Sequence, residues 1–253
     1  MKPLSIIAAA LVAAASPALA GEIPANIQGG VDNPNRSAEN SARDGDRKPG
    51  AVLAFFGVRE GMKVLDYGSG GGYFSEILSG AVGPKGAVRA HNRASERFEQ
   101  NRAALEEQYE PFGNITIDAL ESGAPLPYED NSIDMVLLSL LIHHLHYTEE
   151  SGEAIPPRSA ALYAEFMRVL KPGGVFAIIE HKAIDDATRA QSAAWHRIPE
   201  PILKADVTSA GFVFDADAPE IHANPDDDLQ NVWYETGLRG KTTRLVHRYR
   251  KPE

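Results

Sequence analysis

Residues 64–74 read Val-Leu-Asp-Tyr-Gly-Ser-Gly-Gly-Gly-Tyr-Phe. An apolar run ends in an acid, breaks into four glycines within five positions, and resumes with residues that suit a helix. Glycines let the backbone turn through left-handed φ, and they let a ligand approach without a Cβ in the way. The first turn of the following helix offers free N–H groups to an anionic group. A dinucleotide loop needs its third glycine three residues after the second. Tyr73 stands there, which argues against a nicotinamide oxidoreductase. Glycines at 68, 70 and 72, with Asp66 two residues ahead, leave a loop for another ligand or a tight turn with no ligand.

The rest of the chain alternates strand and helix. Strands are expected over 62–67, 87–91, 114–118, 133–141, 175–180, 212–215 and 244–249. Helices are expected over 73–78, 94–109, 158–170 and 201–210, and a short one opens at Pro49 and stops at Gly57. Residues 133–141 are almost continuously apolar, which suits a central strand covered on both faces. The pattern predicts an α/β fold: a doubly wound, mostly parallel seven-stranded sheet with an antiparallel edge strand. The organisation expected is a signal peptide at 1–20, an N-terminal arm at 21–48 and one domain at 49–253. The arm is rich in Asn, Ser, Gly and charge, and is expected to be partly ordered at best.

Lys2, the apolar Leu4–Ala15, the Ser16-Pro17 break and Ala18-Leu19-Ala20 have the form of a cleavable export signal. The apolar run is shorter than the roughly 20 residues a span needs. Cleavage near Ala20 would place the protein in the periplasm or outside the cell. No membrane span is expected in the mature chain. The absence of cysteine excludes disulfides, a lipid-bearing N-terminal cysteine and the iron–sulfur cluster of radical chemistry. A formal charge of −10, from 25 basic and 35 acidic residues, argues against nucleic acid as partner. A small-molecule substrate is expected; the sequence carries no reading of oligomeric state.

The glycine loop resembles motif I of class I S-adenosylmethionine (SAM)-dependent methyltransferases. Asn114-Ile115-Thr116-Ile117-Asp118-Ala119, Leu138-Ser139-Leu140-Leu141-Ile142-His143-His144, Arg168-Val169-Leu170-Lys171-Pro172-Gly173-Gly174 and Ala210-Gly211-Phe212 resemble later stretches of that fold, in the right order. More narrowly, Asp46-Arg47-Lys48-Pro49, Glu180-His181-Lys182-Ala183, His196-Arg197-Ile198 and Asn224-Pro225-Asp226-Asp227 resemble a family of exported bacterial predicted methyltransferases. The resemblance implies SAM as cofactor. It implies contacts from Asp66, Gly68, Gly70, Gly72, Asn92, Asp118 and Ala119, with Asp118 accepting from the adenine amine. One departure stands out. Asn92 replaces the acid that normally ends the second strand and holds the ribose hydroxyls.

Histidines 143, 144, 146 and 181 gather near strand C-terminal ends, the edge where open α/β sheets bind ligands. Methyl transfer is an in-line displacement, and a base for the acceptor suits an imidazole. His144 and His181 are the catalytic candidates, with His196 third. A zinc site from His143, His146 and His181 is set aside, because two of them share one short loop and no cysteine helps; no metal is assigned. Asp226-Asp227-Asp228 reads as a solvated acidic loop. Trp195, Trp233 and Tyr234 would line an acceptor pocket or simply pack. The leading function is methyl transfer to a small-molecule or cell-envelope acceptor. The alternative is an exported, non-catalytic binding protein on the same fold, motivated by Asn92 and by the cytoplasmic origin of SAM.

Overall fold

The computed structural model describes residues 22–145 and 155–253. The segment expected to be an export signal and His146 lie outside the described residues. Seven strands form one sheet: β1 (Lys63–Tyr67), β2 (Ala87–Arg93), β3 (Ile115–Leu120), β4 (Ile133–Ser139), β5 (Leu170–His181), β6 (Val213–Asp217) and β7 (Arg244–Arg250). Their order is β3-β2-β1-β4-β5-β7-β6. Pairs β1–β2, β2–β3, β1–β4 and β4–β5 are parallel. β7 runs against both β5 and β6, one place in from the β6 edge.

The apolar run of β4 shows why the sheet is covered twice. Met135 and Leu137 face a core with Val64, Val88, Ala177 and Val246. Val136 and Leu138 face a second core with Leu65, Phe176 and Ile178. The first core is closed by α4 (Pro49–Phe56) and α5 (Tyr73–Val82), the second by α8 (Pro157–Val169) and α10 (Glu200–Ser209). Each fully buried Leu, Ile or Phe contributes about 1.5–3 kcal/mol relative to exposure. The long α6 (Glu96–Tyr109) caps the β2–β3 end through Leu105 and Tyr109 against Ala90.

The arm differs from expectation: it is built into the fold. It forms α1 (Ala25–Val31), α2 (Ala38–Ser41) and α3 (Asp44–Arg47). Its polar composition hides a few contact residues. Ile27 is fully buried. Gly30 crosses α5 so closely that a Cβ there would lie 2.3 Å from the Ile77 carbonyl oxygen. Asn26 donates to the Ala81 carbonyl at 2.9 Å, and Arg36 grips Asp44 with two bonds of 2.7 and 2.8 Å.

Two further differences have local causes. β5 begins five residues earlier than its apolar run and absorbs Lys171-Pro172-Gly173-Gly174. The register jumps there, from Ile133 opposite Leu170 to Met135 opposite Val175, so the extra residues form a bulge. Asp227 is not solvated. Its carboxylate is wholly buried against Arg197, at 2.8 and 3.0 Å, and also accepts from the Thr243 backbone at 2.8 Å. A run of three acids looks solvated in sequence because the arginine that draws the middle one inward lies 30 residues away.

Candidate functional site

The strand order changes direction between β1 and β4, and open α/β sheets bind ligands in the crevice at such a point. The glycine loop rises there from β1. Gly68, Gly70 and Gly72 have φ of 76°, 56° and 81°, values that side chains with a Cβ adopt only under strain. The Gly68 and Ser69 amides both donate to the His91 carbonyl, which anchors the loop on β2. Gly72 has a second requirement: a Cβ would stand 2.3 Å from the Tyr109 hydroxyl, which packs behind the loop. Above Gly70 a Cβ would meet nothing within 4 Å, so the loop is open on that side.

Asp66 stands one residue before the end of β1, beneath this loop, and is 3% exposed. It accepts from the Ser75 hydroxyl at 2.6 Å and from the Ser75 backbone, so it caps the first turn of α5. Burial pushes its carboxyl up to about 6, against the pull of Ser75 and Arg47. Arg47 projects from α3 with its guanidinium 4.4 Å from the Tyr73 ring centroid. Burial and the neighbouring Arg43 and Arg244 push it down to about 10. Among the described residues, no carboxylate lies within ion-pair distance of Arg47 or of the 3% exposed Arg244. The arm also reaches the loop directly, through Asn40 donating to the Gly71 carbonyl at 3.2 Å.

Asn92 is turned into the loop. Its Oδ1 accepts from the Gly70 amide at 3.0 Å, and its Nδ2 donates to the Ser69 hydroxyl at 2.9 Å. Ala119 is its lateral partner on β3. Asp118 is heavily engaged: Arg89 donates to both oxygens at 2.6 and 2.8 Å, and the Tyr128 hydroxyl donates at 2.6 Å. The cofactor-side residues read from the sequence thus share one edge, spanning β1, β2 and β3.

The histidines gather over the ends of β4 and β5. His143 and His144 sit on a one-turn helix, α7 (Ile142–Leu145). α9 (Arg189–Trp195) delivers His196, whose φ of 54° turns the chain at the helix end. The core of the cluster is Glu180, fully buried. It accepts from the His143 backbone at 3.2 Å, bonds the His143 Nδ1 at 2.7 Å and accepts from the His181 backbone at 2.7 Å. Burial pushes Glu180 up, but His143 and His181 outweigh it and hold the carboxyl at about 2. His181 bonds Thr242 Oγ1 through Nδ1 at 2.7 Å and stacks on Trp233 at 4.6 Å. Burial pushes it down to about 3, against the pull of Glu180. His144 is half-exposed and is pushed down to about 4, by desolvation and then by His143 and His196. His196 is lowered by desolvation and by His143. All three of these rings are therefore neutral at neutral pH. Tyr234 packs edge-on against His196 at 5.4 Å, so the aromatic pair 233–234 walls this side.

Sequence reasoning passed over Glu180, Arg47, Arg244 and Tyr109 as site residues. Arg47 and Glu180 appeared only inside stretches of family resemblance. Their roles depend on pairings across 26 residues or more, from Arg47 to Tyr73 and from His143 to Glu180.

A family model described as a methyltransferase domain matches residues 58–232. Demethylmenaquinone methyltransferase of Staphylococcus aureus (strain Newman) is 33% identical over 132 residues, 51% of this chain and 47% of that protein. The chain spans about half the length of the curated relatives it matches. A SAM-dependent methyltransferase from Aquifex aeolicus superposes with a TM-score of 0.55 at 21% identity, covering 79% of this chain and 87% of that one. The [4+2]-cyclase SpnF superposes at 0.58 with 18% identity, covering 87% and 86%. At these identities the superpositions speak for the fold.

Proposed function

The chain belongs to the methyltransferase-domain family, and we propose that it moves the methyl group of SAM to a small-molecule or cell-envelope acceptor held over the ends of β4 and β5. The observation that supports this reading best is the loop at the switch point. Three left-handed glycines leave open space above Gly70, with Asp66 beneath it and Arg47 beside it. Those groups fit SAM. Asp66 and Arg47 offer one carboxylate and one guanidinium, complementary to the ammonium and carboxylate of its amino-acid end. Asn92 and the β3 residues Asp118 and Ala119 flank the place for the nucleoside. SAM supplies an electrophilic methyl group on a sulfonium.

What the chain contributes is orientation, since an in-line displacement needs reacting atoms held about 3–3.5 Å apart. The loop fixes the donor side, and the imidazole cluster with Trp233 and Tyr234 forms the acceptor side. With SAM bound, the acceptor would be held with its lone pair facing the methyl carbon, opposite the sulfur that would leave as a neutral thioether. The proton of an O–H or N–H acceptor passes to the imidazoles, with His144 the ring open to solvent. His181 is held back by Thr242 and Trp233 and positions the wall.

The test is transfer of labelled methyl from SAM to small-molecule and envelope extracts. We expect a labelled product with the wild-type chain, and about 100-fold less with His144→Ala, the usual loss when a general base is removed. No label in any fraction, alongside measurable SAM binding, would favour the non-catalytic binding protein. The cyclase shows that fold alone does not fix the chemistry.

A further inference from the structure

His143, His144 and His196 bring their rings together over the ends of β4 and β5. Their rings offer one ligand nitrogen each, all within 4.8 Å of one another. The ring centroids are 4.1, 5.7 and 5.3 Å apart. Rings sharing one tetrahedral zinc, with zinc–nitrogen bonds near 2.0–2.1 Å, stand with centroids about 5 Å apart. Behind the cluster, Glu180 grips the Nδ1 of His143 at 2.7 Å and its backbone amide at 3.2 Å. That leaves Nε2 as the ligand atom of His143. A buried carboxylate on the far nitrogen is the support that metal-bound histidines receive, because it fixes ring orientation and raises basicity. No hydrogen bond among the described residues engages the rings of His144 or His196. The carbonyls of His144 and Leu145 are tied to α8, by Arg158 at 2.8 and 3.1 Å and by Ser159 at 2.7 Å, so α7 is held in place.

We propose that His143, His144 and His196 bind one divalent ion of the zinc class, with Glu180 as the carboxylate behind His143. Three nitrogen ligands leave a fourth position open, as in catalytic rather than structural zinc sites. The position faces the acceptor side, so the open ligand is the acceptor's own oxygen or nitrogen. An ion there would lower the acceptor's pKa, so that its proton would pass to solvent water at the exposed side of the cluster. His144 would then act as a ligand when the ion is bound and as the proton acceptor only when it is not. This use of the ion rests on the methyl-transfer reading; the binding of the ion does not. A second group, Glu200, Asp217 and His247, is less suited. Lys204 already pairs with both acids, at 2.7 and 3.6 Å, and Lys182 with Glu200 at 3.2 Å.

The experiment is calorimetric titration of the chelator-stripped full chain with zinc chloride, with Co²⁺ absorption as a second readout. The expected result is one zinc per chain at sub-micromolar affinity, with the visible bands of four-coordinate cobalt. His144→Ala and His196→Asn should each weaken binding about 100-fold or more, and Glu180→Gln about 10–100-fold. Both ligand variants should preserve the fold, because His144 is exposed and Asn tolerates the left-handed backbone of position 196. His247→Ala should change nothing. Absence of binding below millimolar zinc, or wild-type affinity in both ligand variants, overturns the proposal. SAM is titrated into the same stripped protein. SAM binding without zinc binding removes the metal and leaves the methyl-transfer reading; zinc binding without SAM binding does the reverse.

Discussion

Asp66 illustrates how one residue can serve the site at the fold's expense. Its carboxyl titrates near 6 in the folded chain against an ordinary 3.8, so the native state holds the proton more tightly than the unfolded chain. Below 3.8 both states are protonated and burial costs nothing. Stability then falls as pH rises from 3.8 to 6, and the full cost persists above 6. Asp66→Asn keeps an acceptor for Ser75 and removes the charge. We expect the variant to be more stable by about 1–3 kcal/mol at pH 7.5, and no more stable at pH 4. Melting curves at the two pH values check this, and an equal shift at both would count against it. The same variant should bind SAM poorly, because the charge complementary to the ammonium is gone. Asn92 poses the converse case. Asn92→Asp keeps the acceptor for Gly70, and the Ser69 hydroxyl can reverse to donate to the new carboxylate. The charged acceptor should tighten SAM by about 1 kcal/mol, roughly five-fold. A calorimetric loss of affinity would mean that the Asn92 amide is needed as a donor.

At the scale of elements, the packing of α1 on α5 turns on two glycines that look alike in sequence. Gly30 meets the Ile77 carbonyl and the backbone of Ala81, whereas Gly29 faces open space. Gly30→Ala should cost about 1–3 kcal/mol through overpacking. Gly29→Ala should be neutral or stabilising, by up to about 1 kcal/mol, because alanine is the better helix former. Urea denaturation of the two variants measures the difference, and equal effects would contradict the close crossing. The central strands β1 and β4 were legible in the sequence as apolar runs, and β7 by its alternation of apolar and polar residues. The short helices α1, α2, α3, α7 and α9 were not. Each has four to seven residues and takes its stability from tertiary contacts rather than from a long apolar stripe. The candidate site divided the same way. The glycine loop is local and was readable. Glu180 behind His143 and Arg47 on Tyr73 are pairings between distant segments, and nothing in their own neighbourhoods announces them.

Across the whole molecule, a single sheet edge collects the chemistry. β1 and β2 present the glycine loop and its anchors, and β4 and β5 present the imidazoles. The arm folds back so that Asn40 and Arg47 complete the loop side. This division into a donor half and an acceptor half is what a transferase of this kind requires, and every part of it depends on SAM occupying the space above Gly70. Titration of SAM into the wild-type chain and into Gly70→Val tests that directly. The valine would fill open space rather than strike a neighbouring atom, and circular dichroism reports whether the fold survives the left-handed position. The account predicts one SAM per wild-type chain and none in the variant. Equal binding by both chains, or no binding by the wild type, would contradict it.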